Sequence, residues 1–350
     1  MNIAIFLPNW VGDMVMATPT LRAVRRNFGS AARIVGILRP QLGELLAGTF
    51  WIDEQCHFDP RSGRKEYSRL ALLARLRRER FDMALLLTNS LHTAVLAWLG
   101  GAKQRVGYAR DGRSWFLTHR VPPHLHGRRW RPMPMVESYL SLAREVGCPD
   151  ESPRLELTVT AAESEQAARV WRDLGLRSDG RVVALNSTGA FGAAKLWPAE
   201  HCAELARQIV AKLDHDVLVF CGPGERDAAR QIAAQSGSSR VFSLAAQAGG
   251  LGLAKGCLAR CRLMVSTDSG PRHMAAALGL PVVTLLGPTL PAWIENPSVQ
   301  GCMLRTDLDC LGCGQRDCPL GHHRCMRDLL PDRVLDEVAE LLQTTTVKAA

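Results

Sequence analysis

Runs of apolar residues alternate with amphipathic segments along the first half of the chain. The short apolar runs predict buried strands, and the segments between them show the three- to four-residue spacing of amphipathic helices. The predicted strands are Asn2–Leu7, Arg33–Leu38 and Met83–Leu87, and the predicted helices are Met14–Phe28, Glu66–Arg80, Leu91–Leu99 and Val136–Val146. Alternating strands and helices predict a parallel sheet covered on both faces.

The second half repeats this pattern after Gly147–Leu157, which carries two prolines and which we interpret as a linker. The predicted strands are Arg181–Asn186, Asp216–Phe220, Leu263–Ser266 and Val282–Leu286, and the predicted helices are Pro198–Leu213, Glu225–Ala234, Leu251–Arg260, Pro271–Leu278 and Asp332–Leu342. The sequence therefore predicts two doubly wound α/β domains, residues 1–157 and 158–350. We expect the loops at the carboxyl ends of their strands to face a cleft.

Composition supports this class and excludes others. A chain of 350 residues suits two domains of about 150 residues each. Its 47% hydrophobic and 22% charged residues are ordinary for a packed globular protein and exclude a fibrous one. The longest apolar stretch, Met274–Gly287, is interrupted by Pro281 and is shorter than the ~20 residues of a membrane-spanning helix. No basic region precedes the first apolar segment, so we expect a cytoplasmic protein rather than a secreted one.

Positive charge is concentrated in the first half. Residues 1–150 hold 22 Lys and Arg against 12 Asp and Glu, a net +10, whereas residues 151–350 hold 21 against 22, a net −1. This asymmetry predicts an anionic partner for the first domain, with a solvated basic face as the alternative. Nucleic acid is disfavoured as that partner, because 3 Tyr and 9 Phe and no known reading module offer few stacking platforms.

One candidate for acid–base chemistry lies in the loop after the first strand, Asn9-Trp10-Val11-Gly12-Asp13-Met14. Open α/β sheets bind ligands at such loops. Gly12 permits close approach of the backbone. We interpret Asp13 as a general base that accepts a proton from a hydroxyl nucleophile. A simple helix N-cap is the alternative.

Two loops of the second half are typical of anion sites. In one, Ser187 and Thr188 offer hydrogen-bond donors and Lys195 offers a positive charge for a phosphate, although a solvated lysine explains Lys195 equally well. In the other, a small polar turn opens a helix, whose exposed amides and dipole favour an anion. The residues of this turn and of the helix that we assign to the site are Asp268, Ser269, Gly270 and His273; helix capping by Asp268 or Ser269 is the alternative.

Glu225 lies between a predicted strand and helix, in Cys221–Asp227. A carboxylate at this position commonly accepts hydrogen bonds from ribose hydroxyls. Asp227 is the reserve candidate. Compensation of the helix dipole by either acidic residue is the alternative interpretation.

Five of the eleven cysteines cluster between residues 302 and 325. Cys310-x2-Cys313 resembles half of a zinc or iron site, which Cys318 and Cys325 would complete as a structural metal centre. Their spacings match no common zinc module, so reduced thiols and disulfides stay open as alternatives. No nearby pair of carboxylates indicates a catalytic metal.

Taken together and in this order, the loops resemble glycosyltransferase family 9, the ADP-heptose:lipopolysaccharide heptosyltransferases. The strongest matches are residues 9–14, Ala194–Pro198 and Thr267–Ala277. The Trp-Val-Gly-Asp-Met form of residues 10–14 is more similar to the heptosyltransferase II branch than to the heptosyltransferase I branch. The cysteine-rich segment recurs in only part of the family, which makes it dispensable for the shared chemistry.

The resemblance implies a GT-B fold: two Rossmann-like domains facing a central cleft, with the nucleotide sugar on the C-terminal domain and the acceptor on the N-terminal one. It implies transfer of L-glycero-D-manno-heptose from ADP-heptose to the first heptose of the lipopolysaccharide core on Kdo2–lipid A. The family performs this transfer with inversion and without a catalytic metal or other cofactor.

The resemblance also implies roles for individual residues. Asp13 matches the family's general base. Ser187, Thr188, Lys195 and the turn Asp268–His273 match the residues that bind and stabilise the leaving ADP, and Glu225 would position the ribose. The acceptor is anionic, which fits the basic first half, and the basic segment Arg61–Arg80 would contact its phosphates or the inner-leaflet surface as a peripheral membrane contact.

Two alternatives remain open at this point. One is heptosyltransferase I or III, or another family-9 transferase with a different acceptor. The other is a nucleotide-sugar epimerase or hydrolase of the same fold, which would turn over its donor without any glycan acceptor.

Overall fold

The computed structural model describes residues 1–123, 125–126, 129–130, 132–187, 189 and 191–344. The chain divides into two units, Met1–Thr158 with Ala292–Asn296, and Val159–Pro291 with Pro297–Ala350. This boundary lies one residue beyond the predicted division. The sequence analysis assigned the segment 292–296 to the second domain, but it belongs to the first unit, where the Asn296 side chain donates to the Pro153 carbonyl at 2.9 Å.

The first unit is built on a six-stranded parallel sheet with the strand order β3-β2-β1-β4-β5-β6. Strands β1 to β6 are Asn2–Phe6, Arg33–Leu38, Glu54–His57, Met83–Leu86, Gln104–Tyr108 and His119–Val121, and Leu125–His126 (β7) pairs with Arg129–Trp130 (β8) in an antiparallel ladder. Helices α1 to α5 are Val11–Met16, Thr18–Phe28, Arg69–Glu79, Leu91–Leu99 and Met135–Glu145. The strands are almost continuously buried, as expected for a sheet covered on both faces.

The second unit has a sheet of the same design, with the order β11-β10-β9-β12-β13-β14. Strands β9 to β14 are Val182–Asn186, Asp216–Val219, Val241–Ser243, Leu263–Thr267, Val282–Leu286 and Gly301–Arg305. Helices α6 to α13 are Ala161–Leu174, Ala199–Leu213, Arg226–Gln235, Leu251–Leu258, Gly270–Ala277, Pro291–Ile294, Arg324–Arg327 and Pro331–Thr344; of these, α11 belongs to the first unit from Ala292 onward. All of its ladders are parallel.

The strand order reverses direction once in each sheet, between β1 and β4 and between β9 and β12. At such a switch point the neighbouring crossover connections diverge and leave a crevice beyond the carboxyl ends of the strands, where ligands bind. The prediction of two doubly wound α/β domains is therefore confirmed. The two switch points also locate the loops that carry candidate chemistry.

The predicted helix Met14–Phe28 is instead two helices that meet at Ala17. Pro19 lacks the N–H that a continuous helix would bond to the Val15 carbonyl. The hydroxyl of Thr18 donates to that carbonyl instead, at 2.7 Å. As a result, α1 is a separate short helix that carries Asp13.

Helix α6 was not predicted, although the sequence contains a signal for it. Thr160 and Glu163 form a capping box, in which the Thr160 hydroxyl accepts from the Glu163 amide and the Glu163 carboxylate accepts from the Thr160 amide. Gly175 ends the helix in the left-handed conformation, with φ of 71°.

The segment interpreted as a linker packs on the first unit. Arg22 of α2 donates to the Ser152 and Arg154 carbonyls and pairs with Glu156 at 2.9 Å. These contacts fix the end of the first unit against α2. Within the described ranges, no helix is long and apolar enough to cross a membrane.

Candidate active site

Asp13 lies in the first turn of α1, just beyond the carboxyl end of β1 and hence at the first switch point. The N-cap of α1 is Trp10, so the alternative that Asp13 is the N-cap is wrong. The hydroxyl of Tyr139, on α5, donates to Asp13 Oδ1 at 3.1 Å. Burial and then the negative charge of Asp13 raise the pKa of Tyr139 well above its usual value, so the phenol stays protonated and orients the carboxylate.

Lys195 and Asp268 form an ion pair at the second switch point. Lys195 ends a short 3₁₀ turn, Ala193–Lys195, and Asp268 directly follows β12. The Lys195 ammonium lies 2.6 Å from Asp268 Oδ2, and the two side chains are only 13% and 9% exposed. Thr289 donates to the same carboxylate oxygen at 2.7 Å. The pair is thus held from both sides, which fixes the position of the lysine.

The first turn of α10 adds a second cation and a histidine to this pair. Arg272 is fully buried; its Nη1 lies 3.3 Å from His273 Nδ1, and His273 Nε2 lies 3.6 Å from Asp268 Oδ1. Because a guanidinium only donates, Nδ1 is the accepting nitrogen and Nε2 carries the proton. Burial, followed by the charge of Arg272, lowers the pKa of His273, so the imidazole is neutral at pH 7.

Asp268 stays ionised within this cluster. Burial raises the pKa of its carboxyl group, but contacts with His273 and Lys195 outweigh that effect, and the net pKa lies far below its usual range. One carboxylate therefore faces two permanent cations, Lys195 and Arg272. The local charge is positive, as an anion site requires.

The loop after β9 is fastened to the loop after β12 by buried polar side chains. Asn186 donates to Ser269 Oγ at 2.9 Å and to Ser266 Oγ at 3.3 Å. Ser269 occupies the N-cap position of α10, but its side chain makes no capping hydrogen bond. Its hydroxyl instead accepts from Asn186 and so joins the two loops. The first-turn amides of α10, which begins at Gly270, thus have a fixed orientation.

Three other predicted site residues have different outcomes. Ser187 is 4% exposed and lies beside the buried Cys202 thiol, and its contact with ADP stays a prediction. Thr188 lies outside the described residues. Glu225 precedes α8, where its Oε2 accepts from the Gly222 amide at 2.6 Å. This bond engages one carboxylate oxygen with the local backbone, and the ribose contact of Glu225 stays a prediction.

All eleven cysteines are free thiols in the structure, so the disulfide alternative is wrong here. Burial, followed by the charges of Cys310, Cys318 and Cys313, raises the pKa of the Cys325 thiol to about 11. Among the described residues, however, no group of three or more His, Cys, Asp or Glu side chains is arranged to hold a metal ion. The structural metal centre suggested by the cysteine spacing stays a prediction.

Sequence reasoning missed the supporting residues of both clusters. Tyr139 was part of a predicted helix but was not singled out, and neither were Arg272, Thr289 and Asn186. Arg272 and Asn186 stood beside the predicted site residues His273 and Ser187 in sequence. Tyr139 is 126 positions from Asp13, and a single sequence does not show that pairing.

Comparison with known proteins agrees with the fold and the loops. The family model described as glycosyltransferase family 9 (heptosyltransferase) matches residues 69–324. The lipopolysaccharide heptosyltransferase 2 of Salmonella typhimurium is 29% identical over 352 residues, which cover 98% of this chain and 99% of the relative. The lipooligosaccharide heptosyltransferase 2 of Campylobacter jejuni serotype O:2 is 27% identical, with 99% of each chain covered.

Solved structures show the same likeness. The structure of Escherichia coli ADP-heptose LPS heptosyltransferase II matches with a TM-score of 0.78 and 28% identity, over 98% of this chain and 99% of that one. The structure of E. coli heptosyltransferase WaaC with ADP matches with a TM-score of 0.72 over 97% of this chain and 100% of that one, and at 18% identity it shows the shared fold.

Two doubly wound units, together with the likeness to the heptosyltransferase II structure, define a glycosyltransferase of the GT-B fold class. The chain belongs to glycosyltransferase family 9, the heptosyltransferases. The predicted fold class, enzyme class and family resemblance are thereby confirmed, including the similarity to heptosyltransferase II.

Proposed function

We propose that this enzyme transfers heptose from ADP-heptose to the first heptose of the lipopolysaccharide inner core, as the names of its relatives suggest. The observation that carries the proposal is the Lys195–Asp268 pair beside the N-terminus of α10, at the second switch point. This arrangement suits a diphosphate. Its positive charges would stabilise the leaving group as that group takes on negative charge.

The second unit would bind ADP. Lys195 and the first-turn amides of α10 would meet the diphosphate, and neutral His273, whose Nε2 faces Asp268 Oδ1, would help to hold this turn in place. Glu225 would use Oε1 for the ribose hydroxyls, because Oε2 already accepts from Gly222. Asp268 would act through Lys195, whose position it holds, rather than by facing an anionic ligand.

The first unit would bind the acceptor and supply the base. Asp13 would take the proton of the acceptor hydroxyl, whose oxygen forms the new bond to the anomeric carbon while the bond to the ADP oxygen breaks. A single displacement of this kind inverts the anomeric centre. Tyr139, which donates to Oδ1, keeps the carboxylate aligned during the transfer.

Cations of the chain take the role that a metal plays in many other transferases. We therefore expect turnover to persist when EDTA removes divalent ions, because Lys195 and the α10 dipole already face the leaving group. Initial rates measured with and without EDTA, at matched ionic strength, provide the test. A loss that Mg²⁺ or Mn²⁺ reverses, with unchanged circular dichroism, would contradict this mechanism.

The decisive assay offers ADP-heptose together with purified Kdo2–lipid A that carries one heptose, and reads the products by mass spectrometry. One added heptose supports the proposal. Extension of only the heptose-free Kdo2–lipid A would instead show the heptosyltransferase I reaction. Donor turnover without either acceptor would indicate an epimerase or hydrolase.

We also propose that the first unit contacts the cytoplasmic face of the inner membrane. Its helices α3 and α4 and the turn Arg113–Phe116 share one face: Arg77 donates to the Leu99 carbonyl at 3.0 Å, and the Trp98 and Phe116 rings lie 5.4 Å apart. This face, here called the basic–aromatic surface, exposes arginines and large apolar side chains together. Its members are Arg69, Leu70, Arg77, Arg78, Trp98 and Trp115.

The exposure of these side chains is unusual for a solvated helix. Trp115 is 87% and Leu70 79% exposed, and the side chain of Arg78 is 76% exposed. Arginines attract anionic headgroups, and tryptophan prefers the boundary between headgroups and acyl chains. The combination fits the surface on which a lipid-linked acceptor lies.

Vesicle binding should depend on this surface. The double variant Arg77→Ser/Arg78→Ser is expected to bind phosphatidylglycerol vesicles about thirtyfold more weakly, because each arginine near an anionic surface contributes about 1 kcal/mol. Cosedimentation with phosphatidylglycerol and with phosphatidylcholine vesicles measures the effect. Arg169→Ser, which removes an exposed arginine of α6, serves as the control. Two results would contradict membrane contact through this face. One is equal binding of the unaltered enzyme to phosphatidylglycerol and phosphatidylcholine vesicles. The other is equal binding of the double variant and the Arg169→Ser control to phosphatidylglycerol vesicles.

A further inference from the structure

The cysteine-rich segment, residues 310–325, lies against both loops that hold the Lys195–Asp268 pair. Its main chain and one histidine contact the turn that ends in Lys195, and its glycines contact the turn that leads to Thr289. Neither contact involves a metal or a disulfide. The segment therefore lies next to the proposed donor site. Its presence in only part of the family gave no indication of this position.

The two peptide groups that flank the Ala194 Cα are each held by one hydrogen bond. The Ala194 amide donates to the Arg316 carbonyl at 2.8 Å, and the Ala194 carbonyl accepts from His323 Nε2, also at 2.8 Å. Ala194 is buried and directly precedes Lys195. Because both planar peptide groups are held, the backbone at Ala194 is fixed, and with it the direction in which the Lys195 side chain leaves the backbone.

The close approach continues on the side of Gly192. A Cβ atom at this position would lie 2.4 Å from the Arg316 carbonyl oxygen, so only glycine lets the two segments come together here. The Arg316 guanidinium also lies 5.5 Å from the Phe191 ring centre, and the Lys195 ammonium lies 4.6 Å from the same ring. Phe191 thus contacts a cation of the segment and the lysine of the site.

The other loop is held by amides of the same segment. Gly312 donates to the Gly287 carbonyl at 3.2 Å, and Gly314 donates to the Pro288 carbonyl at 2.7 Å. The next residue, Thr289, donates to Asp268 Oδ2. The segment therefore contacts both loops of the Lys195–Asp268 pair: it bonds Ala194, next to Lys195, and it bonds the turn before Thr289, which in turn bonds Asp268.

The segment's own turn prepares His323 for this contact. His323 has a φ of 53°, in the left-handed region, and its amide donates to the Cys318 sulfur at 3.4 Å. A left-handed residue other than glycine is uncommon and needs local support. The sulfur of Cys318 provides such support and so aims the imidazole at Ala194.

We propose that the cysteine-rich segment is a positioning element of the donor site, in which Arg316 and His323 hold the two peptide groups that flank Ala194 and thereby set Lys195 against the diphosphate. His323 is a positioning residue, because it acts through Lys195 and does not touch the ligand. This inference rests on the proposed donor site. It adds a function for a segment that the shared chemistry of the family does not require.

The test is ADP affinity in a double-mutant cycle. His323→Ala should weaken ADP binding about three- to tenfold, the worth of one well-placed hydrogen bond. Combined with Lys195→Ala, it should add almost nothing, since its effect passes through that lysine. Isothermal titration calorimetry with ADP measures all four corners of the cycle. His323→Gln, which keeps a donor near the Nε2 position, should restore most of the affinity.

Two comparisons separate positioning from general damage. His322→Ala disturbs the same segment, where His322 Nδ1 accepts from the Arg324 amide, but leaves the Ala194 contact intact; it should keep normal ADP affinity. Additive effects of His323→Ala and Lys195→Ala, or equal losses in the two histidine variants, would overturn the positioning role. If Lys195→Ala alone left ADP affinity unchanged, the donor site itself would be wrong, and the positioning role would fall with it.

Discussion

Replacing Asp13 by Ala is expected to lower kcat by a factor of about 10² to 10⁴, the usual contribution of a general base, while the Kd for ADP stays unchanged. The reason is chemical: without the carboxylate, the acceptor hydroxyl keeps its proton and remains a weak nucleophile. ADP binding should not change because the diphosphate site is built from residues of the second unit. Single-turnover rates together with calorimetric titration of ADP measure the two quantities.

Two further variants show whether charge or packing is responsible. Asp13→Asn keeps a carbonyl oxygen to accept from the Tyr139 hydroxyl but cannot take a proton, so it should be nearly as slow as the alanine variant. Tyr139→Phe keeps the carboxylate and loses only its orienting bond, so its loss should be much smaller, about tenfold or less. An active Asp13→Asn enzyme would remove Asp13 from the role of base.

The second large effect is expected for Lys195. Lys195→Ala should lower kcat by about 10² to 10³ because a preorganised charge that faces the leaving group is lost. Unlike the Asp13 variants, it should also weaken ADP binding by about tenfold or more, since the charge meets the diphosphate in the ground state as well. Lys212→Ala, an exposed lysine of α7, is the matched control and should behave like the unaltered enzyme.

A complication follows from the burial of the pair. Removing Lys195 leaves the Asp268 carboxylate buried without its nearest cation, and breaking such a pair costs about 3 to 5 kcal/mol of stability. The double variant Lys195→Ala/Asp268→Asn removes both charges and should recover much of the stability, measured by urea unfolding. It should not recover activity. Activity that returns along with stability would show that Lys195 serves folding rather than transfer.

The alternation of apolar runs and amphipathic segments was sufficient to predict both doubly wound units. Buried parallel strands must be apolar along their whole length, so central strands such as Arg33–Leu38 and Val282–Leu286 were predicted with their exact bounds. Edge strands such as Glu54–His57 have mixed composition and were missed. The break at Ala17 was missed as well, because the apolar spacing continues through Pro19 while the backbone hydrogen bonds do not.

Local sequence likewise located most of the candidate chemistry. Asp13, Lys195 and the turn at Asp268 each follow the end of a strand, and the topology of parallel sheets brings such loops to one edge. What the local pattern left open was the choice between a ligand role and a helix cap. Coordinates excluded the N-cap at Asp13, where Trp10 occupies that position and Tyr139 donates to the carboxylate, while the role of Asp13 as a base stays a prediction.

The sequence by itself therefore determined the fold class, the order of the loops and the uneven charge of the two halves, because these depend on neighbouring residues and on composition. Only the tertiary structure decided which side chains meet. Lys195 and Asp268 are 73 positions apart, and His323 lies 129 positions from Ala194. Contacts over such separations are set by how the strands order in the sheet and how the loops pack above it. For the same reason, only the structure showed that the cysteine-rich segment lies against the loops that hold the Lys195–Asp268 pair.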